Sequence, residues 1–319
     1  MKFYLKIFFT LLIVTIFLII GLNFCSAENL KIKMLNVGQG DAILIQSPTE
    51  NILVDTSDTD EREKLIKELY KADVSTVDKI ILTHPHADHI GNVNYLLKLG
   101  TVSVKSIYDN GIVSSSKLYI NYLNTCKALK TPHNSLKAGD KIFIGDAYIE
   151  VLFPSAETVE LVNGGRKSNP NNESIVFRLV NKNFSMLFTG DAEFPVESEI
   201  LASGANIKSN ILKAGHHGAA TANNLNFVKA VKPDYVFISA GVQTSKRGGN
   251  TYGHPRAEAL NAFLAAKVPA ENIFWTAENG TVTVETDGEK FSVTPEIKKS
   301  WVTDYLKGKT KFLNVVTKL

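Results

Sequence analysis

The chain has 319 residues, of which 44% are hydrophobic and 21% charged, with a formal net charge of +3 at pH 7. That balance excludes a disordered or fibrous chain and supports a full-sized core in one large domain or two ordinary ones. The charge is unevenly placed: residues 28–296 carry 27 basic and 31 acidic side chains, a net of −4, which gives no sign of a phosphate-backbone footprint.

Residues 1–27 read as an export signal or an N-terminal anchor. Lys2 and Lys6 make a positive start, residues 7–22 are an almost unbroken apolar run, and Cys25-Ser26-Ala27 offers small residues for cleavage. A run of sixteen residues falls at the short edge of what spans a bilayer, so both fates stay open, and either places the domain outside the cell or at its surface. Cleavage would leave one cysteine, Cys126, and therefore no disulfide framework. Tyr122, Leu123 and Leu129 around it predict a buried thiol on a helix.

Short apolar runs at 30–37, 42–46 and 51–54, separated by Gly38-Gln39-Gly40-Asp41 and Ser47-Pro48, predict hairpins. The period changes at 60–73, where Leu65, Ile66, Leu69 and Tyr70 form one stripe among charges and predict an amphipathic helix. A strand at Ile80 follows, then a helix over 90–99 with Val93, Leu96 and Leu97 inward. A strand near Ile107, a helix over 118–129 and a hairpin about Gly145-Asp146 come next. Residues 155–172, rich in Gly, Asn and Pro, read as a long surface loop. A hairpin over 175–188 ends in Thr189-Gly190-Asp191. Helices over 196–201, 225–231 and 257–266 then alternate with strands at 210–213 and 235–239, and a hairpin over 273–293 follows. Hairpins mixed with strand–helix units predict an α/β fold, a four-layer αββα sandwich spanning 28–296. The basic segment 297–319, with six lysines against Asp304, reads as a peripheral, solvated tail with a short helix over 301–306.

The densest chemical signal is His84-Pro85-His86-Ala87-Asp88-His89, three imidazoles and a carboxylate directly after an apolar run. Those are the ligands a borderline divalent metal takes, delivered by one loop at a strand end. Six of the seven histidines fall in three places: this loop, the turn Gly215-His216-His217-Gly218, and His254 in Tyr252-Gly253-His254-Pro255. Asp191 follows another strand end. His133, beside Pro132, reads as ordinary surface. Lys213, Lys246 and Arg247 lie near these motifs and offer a local basic patch.

These residues resemble the signature of the metallo-β-lactamase superfamily, whose fold is the sandwich inferred above. Val37-Gly38-Gln39-Gly40-Asp41-Ala42, Leu53-Val54-Asp55-Thr56, Asn172-Glu173-Ser174-Ile175-Val176, Leu187-Phe188-Thr189-Gly190-Asp191, Leu212-Lys213-Ala214-Gly215-His216-His217-Gly218 and Tyr252-Gly253-His254-Pro255 narrow the resemblance to one branch. That branch comprises the extracellular domain of ComEC-type competence proteins and their stand-alone relatives. The chain departs from it at Asn36, where the branch has Asp, and at Ser57, where it has Gly. The middle histidine used by most of the superfamily is missing.

The resemblance implies two divalent metal ions, zinc or alternatively manganese. His84, His86 and His217 would hold the first; Asp88, His89 and His254 the second; Asp191 would bridge them. Asp55 would orient a ligand histidine, and Asp41 would be structural or support a ligand. Hydrolysis of a phosphodiester by a hydroxide shared between the ions follows, with Asp88 taking the proton of the nucleophile. His216 would contact the phosphoryl group or protonate the leaving group. The substrate would be DNA, or a cell-wall polymer or phosphorylcholine-type diester. True β-lactam hydrolysis is disfavoured by the missing histidine. A non-catalytic surface module that keeps metal for structure is the reading from another class.

Overall fold

The computed structural model describes residues 29–244 and 250–308. The leader over 1–27, Lys246, Arg247 and the end of the basic tail lie outside the described residues. Among those described, no helix is long and apolar enough to cross a membrane.

Two sheets face each other. The first runs, in spatial order, Phe291–Pro295, Val282–Thr286, Leu30–Met34, Ile43–Gln46, Asn51–Val54, Lys79–Ile81, Ile107–Asp109 and His133–Ser135. The second runs Ile273–Trp275, Tyr235–Ile238, Ile211–Lys213, Phe184–Phe188, Val176–Asn181, Ala147–Phe153 and Lys141–Ile144. Alternation along the strands builds the layers. In Ile43-Leu44-Ile45, the two isoleucines enter the core between the sheets and Leu44 packs outward with Leu65, Leu69, Val93 and Tyr122 of the helices. In Met186-Leu187-Phe188, Met186 and Phe188 enter the central core, while Leu187 packs with Val196, Phe227 and Phe263 on the other flank. Each such fully buried side chain contributes about 1.5–3 kcal/mol relative to exposure. The result is the expected four-layer αββα sandwich.

Within each sheet one half is parallel. Asn51–Val54, Lys79–Ile81 and Ile107–Asp109 run together in the first, and Phe184–Phe188, Ile211–Lys213, Tyr235–Ile238 and Ile273–Trp275 in the second. Parallel strands release their following loops at one edge, which places Asp55, the His84–His89 loop, Asp191, the His216-His217 turn and Ser239 together.

Several local expectations need correction. Tyr70 is 85% exposed, because the helix Arg62–Lys71 buries the face that carries Leu65, Glu68 and Leu69, and Tyr70 falls off that face. Residues 155–172 are no plain loop: Ser155 Oγ accepts from Thr158 N and caps a helix, Ala156–Asn163. The segment 273–293 is not one hairpin. Ile273–Trp275 pairs parallel with Tyr235–Ile238, and only Val282–Thr286 and Phe291–Pro295 form a hairpin, in the opposite sheet. The basic segment does not begin as a solvated tail. Trp301 and Val302 are buried, Trp301 Nε1 donates to Ile273 O, and Tyr305 Oη on the helix over 302–308 donates to Pro255 O at 2.7 Å. Cys126 is buried on a helix as expected, and burial pushes its thiol up to about 11.

Candidate metal centre

Left-handed backbone turns aim the site. Asp55 leaves its strand at φ 59°, and His216 and His217 are consecutive left-handed residues at φ 48° and 54°. Non-glycine residues held there cost about 1–3 kcal/mol each, a strain that recurs at functional sites. Gly190, at φ 49°, admits the close approach of Ser174 and Thr83, where a Cβ would fall 2.9 and 3.1 Å from their Cβ atoms. Gly40 lets the chain run against the histidine loop, with Asp41 N donating to Asp88 O at 3.0 Å.

The ligand atoms of Asp88, His89, Asp191 and His217 all lie within 4.8 Å of one another. Each of the two imidazoles has one nitrogen committed. His89 Nδ1 donates to Asp55 Oδ2 at 2.8 Å, and Asp55 also accepts from Thr83 N and Thr83 Oγ1, each at 2.8 Å. His217 Nδ1 donates to Ser239 O at 2.7 Å. The opposite nitrogens face carboxylates, so each carries a proton in the metal-free protein and would give a lone pair only to a bound cation. His89 Nε2 is 3.2 Å from Asp191 Oδ2; His217 Nε2 is 3.4 Å from it and 3.2 Å from Asp88 Oδ2. Lone pairs facing carboxylates repel unless a proton or a metal cation lies between them. Consistently, His89 Nε2, His217 Nε2, Asp191 Oδ1 and His254 Nδ1 are buried without a hydrogen-bond partner among the described residues.

The charges tell the same story. Burial opposes ionisation of Asp191, but His217 and His89 outweigh it and hold its carboxyl well below the usual range. Burial likewise opposes the charge on Asp88, and the His217 hydrogen bond and His89 overcome it, lowering the carboxyl. Burial also opposes charging His89 and His217, yet Asp191 with Asp55, and Asp191 with Asp41, raise both well above 6.5. Burial and the neighbouring imidazoles push His84 well below that value and His254 to about 3.

The other predicted residues ring this cluster. His84 Nε2 is 3.0 Å from His86 Nδ1 and 3.8 Å from Asp191 Oδ2. The His254 ring stacks parallel to Tyr252 at 5.9 Å and lies 5.3 Å from the His216 ring. His216 stands at the rim between two carboxylates: its Nδ1 donates to Glu193 Oε1 at 3.1 Å, and its Nε2 is 3.8 Å from Asp191 Oδ2. The geometry thus groups His217 with Asp88 and His89, where the resemblance had grouped it with His84 and His86. The reason is the Ser239 carbonyl, which anchors the ring on that side.

Two features were not read from the sequence. Lys213, taken there as part of a basic patch, is buried under the cluster, 2.5 Å from Asp41 Oδ2 and 3.0 Å from Gly190 O. Lys213 with His217 brings the Asp41 carboxyl down to about 2 against the burial that would raise it. Glu193 was not singled out at all; its only sequence signal is its place two residues beyond Asp191. His133 is also more than surface, since its Nε2 donates to buried Asp109 at 2.8 Å.

The cluster opens into a cleft of about 1250 Å³ lined by Gln39, His86, Asn171, His216, Tyr252 and Arg256, among others. Most of the residues that line it carry polar side chains. The sequence profile of the Metallo-beta-lactamase superfamily matches residues 35–242.

The chain belongs to the metallo-beta-lactamase superfamily. It is 28% identical over 300 residues to ComE operon protein 3 of Bacillus subtilis (strain 168), covering 88% of this chain and 36% of that one. It is 25% identical over 236 residues to competence protein ComA of Neisseria gonorrhoeae, covering 73% and 29%. The chain thus spans about a third of the length of the curated relatives it matches. The fold resembles that of the metallo-beta-lactamase fold protein YhfI from Bacillus subtilis, with a TM-score of 0.50, 13% identity and coverage of 81% of this chain and 100% of that one. Superfamily members are typically metal-dependent hydrolases that bind two ions, and the unpartnered polar atoms around Asp191 fit that pair.

Proposed function

We propose that this chain is an exported two-metal phosphodiesterase of the kind its resemblance to ComEC-type competence proteins implies. One observation carries the metal part. His89 Nε2 and His217 Nε2 converge on Asp191, buried and without a hydrogen-bond partner among the described residues, while their other nitrogens are committed to Asp55 and Ser239. Asp88, His89, Asp191 and His217 would hold one ion. His84 and His86, sharing Asp191, would hold the other, with His254 closing the set from the cleft side. The nitrogen-rich set suits zinc, and the two carboxylates leave manganese open.

When bound, such a pair supplies Lewis acidity and lowers the pKa of water. The remaining work belongs to the chain. Asp88, held ionised beside His217, is placed to accept a proton from the attacking water. Arg256, Gln39 and Asn171 line the approach and would orient phosphoryl oxygens. The positive start and apolar run of residues 1–27 support action outside the membrane or attached to its surface.

Within this reading DNA is the substrate the competence relatives point to. A small or wall-polymer diester, such as a phosphorylcholine ester, is favoured by one observation: the cleft carries Asp58, Asp60 and Glu258 against Arg256 as its lone Arg or Lys among the described residues. The test is chelation followed by zinc or manganese add-back, assayed on bis-p-nitrophenyl phosphate, single-stranded DNA and double-stranded DNA. Activity that returns with metal supports the hydrolase. Activity indifferent to chelation and to Asp191→Ala removes it, and loss of DNA cleavage alone selects the small diester.

A further inference from the structure

We propose that Glu193 is a positioning residue that fixes the tautomer of His216, so that this histidine presents Nε2 to the cleft as an acceptor. The carboxylate is itself clamped. Glu193 Oε1 accepts from Thr221 Oγ1 at 2.5 Å, Oε2 accepts from Asn169 Nδ2 at 3.1 Å, and the Glu193 amide donates to Asn172 Oδ1 at 3.1 Å. The residue stands at the start of the helix Phe194–Ala202, whose N-terminal dipole favours a negative charge. His216 is held just as firmly from its backbone, in left-handed conformation with its amide donating to Gly190 O at 3.1 Å.

An ionised carboxylate offers no proton, so the bond between Glu193 Oε1 and His216 Nδ1 places the proton on Nδ1. Nε2 is then a lone pair 3.8 Å from Asp191 Oδ2. Imidazole free in water prefers the opposite tautomer, with the proton on Nε2; Glu193 reverses that preference. A histidine so held presents an acceptor at the cleft, where the resemblance implied a donor to the leaving group. Carboxylates that back a histidine in this way typically matter by about 10–100-fold in affinity or activity. The kinetic consequence rests on the hydrolase reading above; the tautomer does not.

The experiment is a long-range ¹H–¹⁵N spectrum of the full chain labelled at histidine, at pH 8, before and after zinc addition. His216 should show a protonated Nδ1 and a bare or metal-shifted Nε2. Glu193→Ala should move the proton to Nε2 and lower kcat on bis-p-nitrophenyl phosphate by about 10–100-fold with little change in KM. Glu193→Gln, whose carbonyl still accepts from Nδ1, should keep the wild-type tautomer and recover most of the rate. Glu193→Ser places a capping side chain at the helix start but cannot reach Nδ1, so it should also move the proton to Nε2, which keeps the test open if Glu193→Ala fails to fold. A wild-type His216 protonated on Nε2 alone overturns the proposal, as does an unchanged spectrum in Glu193→Ala. A protein with no phosphodiesterase activity but the expected tautomers would retire the substrate reading and leave this one standing.

Discussion

The ammonium of Lys213 lies 2.5 Å from Asp41 Oδ2, with both side chains sealed from solvent directly beneath Asp191. The pair joins the strand Ile211–Lys213 of one sheet to the loop before Ile43–Gln46 of the other, and Asp41 in turn sits 3.3 Å from His217 Nδ1.

Removing one partner of such a pair strands the other as a buried charge, at a cost of about 3–5 kcal/mol. Lys213→Met should lower the unfolding free energy measured by urea denaturation by that amount. Lys213→Met combined with Asp41→Asn should cost less than the two single changes added together. Strict additivity in that double-mutant cycle would show that the pair is not coupled.

Asp191 Oδ2 lies within 3.8 Å of a ring nitrogen of His84, His89, His216 and His217, so its loss should empty the centre and not merely slow it. In Asp191→Asn, bound metal measured by elemental analysis should fall below one ion per chain, and turnover should fall about 100-fold or more. Full metal content with lost turnover would instead assign Asp191 to chemistry alone.

The same cluster makes metal a folding ligand. Without it, buried carboxylates and imidazoles face one another at 3.2–3.4 Å, so chelation should lower Tm and add-back should restore it. Free metal at a hundred times its Kd stabilises the fold by about 2.7 kcal/mol. A Tm unmoved by chelator would indicate that protons alone satisfy the site.

How much of this was legible follows from range. The histidine loop, Thr189-Gly190-Asp191 and the Gly-His-His-Gly turn each carry their chemistry within a few residues, and the loops that hold them meet because parallel strands share an edge. The α/β sandwich was legible for the same reason, since alternation and strand–helix order are local. The Lys213–Asp41 pair, the Glu193–His216 bond and the Ser239 carbonyl that seats His217 depend on which loops meet across the sheets, which periodicity does not encode. Ile273–Trp275 illustrates the limit. Three apolar residues do not say which sheet they join, and the short helix Thr276–Asn279 after them carries the chain across to the other. The burial of Trp301 is hidden in composition, where the lysines around it outweigh one aromatic.

His133 provides the pH test. Its hydrogen bond to Asp109 raises its pKa above 6.5, with burial opposing, and Asp109 also accepts from Tyr122 Oη at 2.5 Å. A histidine whose folded pKa is raised contributes stability that is fully present below the unfolded value and lost as pH rises through the folded one. The side chain is 29% exposed, so the contribution should stay within about 1 kcal/mol. The Tm gap between wild type and His133→Gln should therefore be widest near pH 5.5 and should narrow by pH 8.5. A gap that widens with pH instead would mean that neutral His133 is the favoured form and that Asp109 is served chiefly by Tyr122.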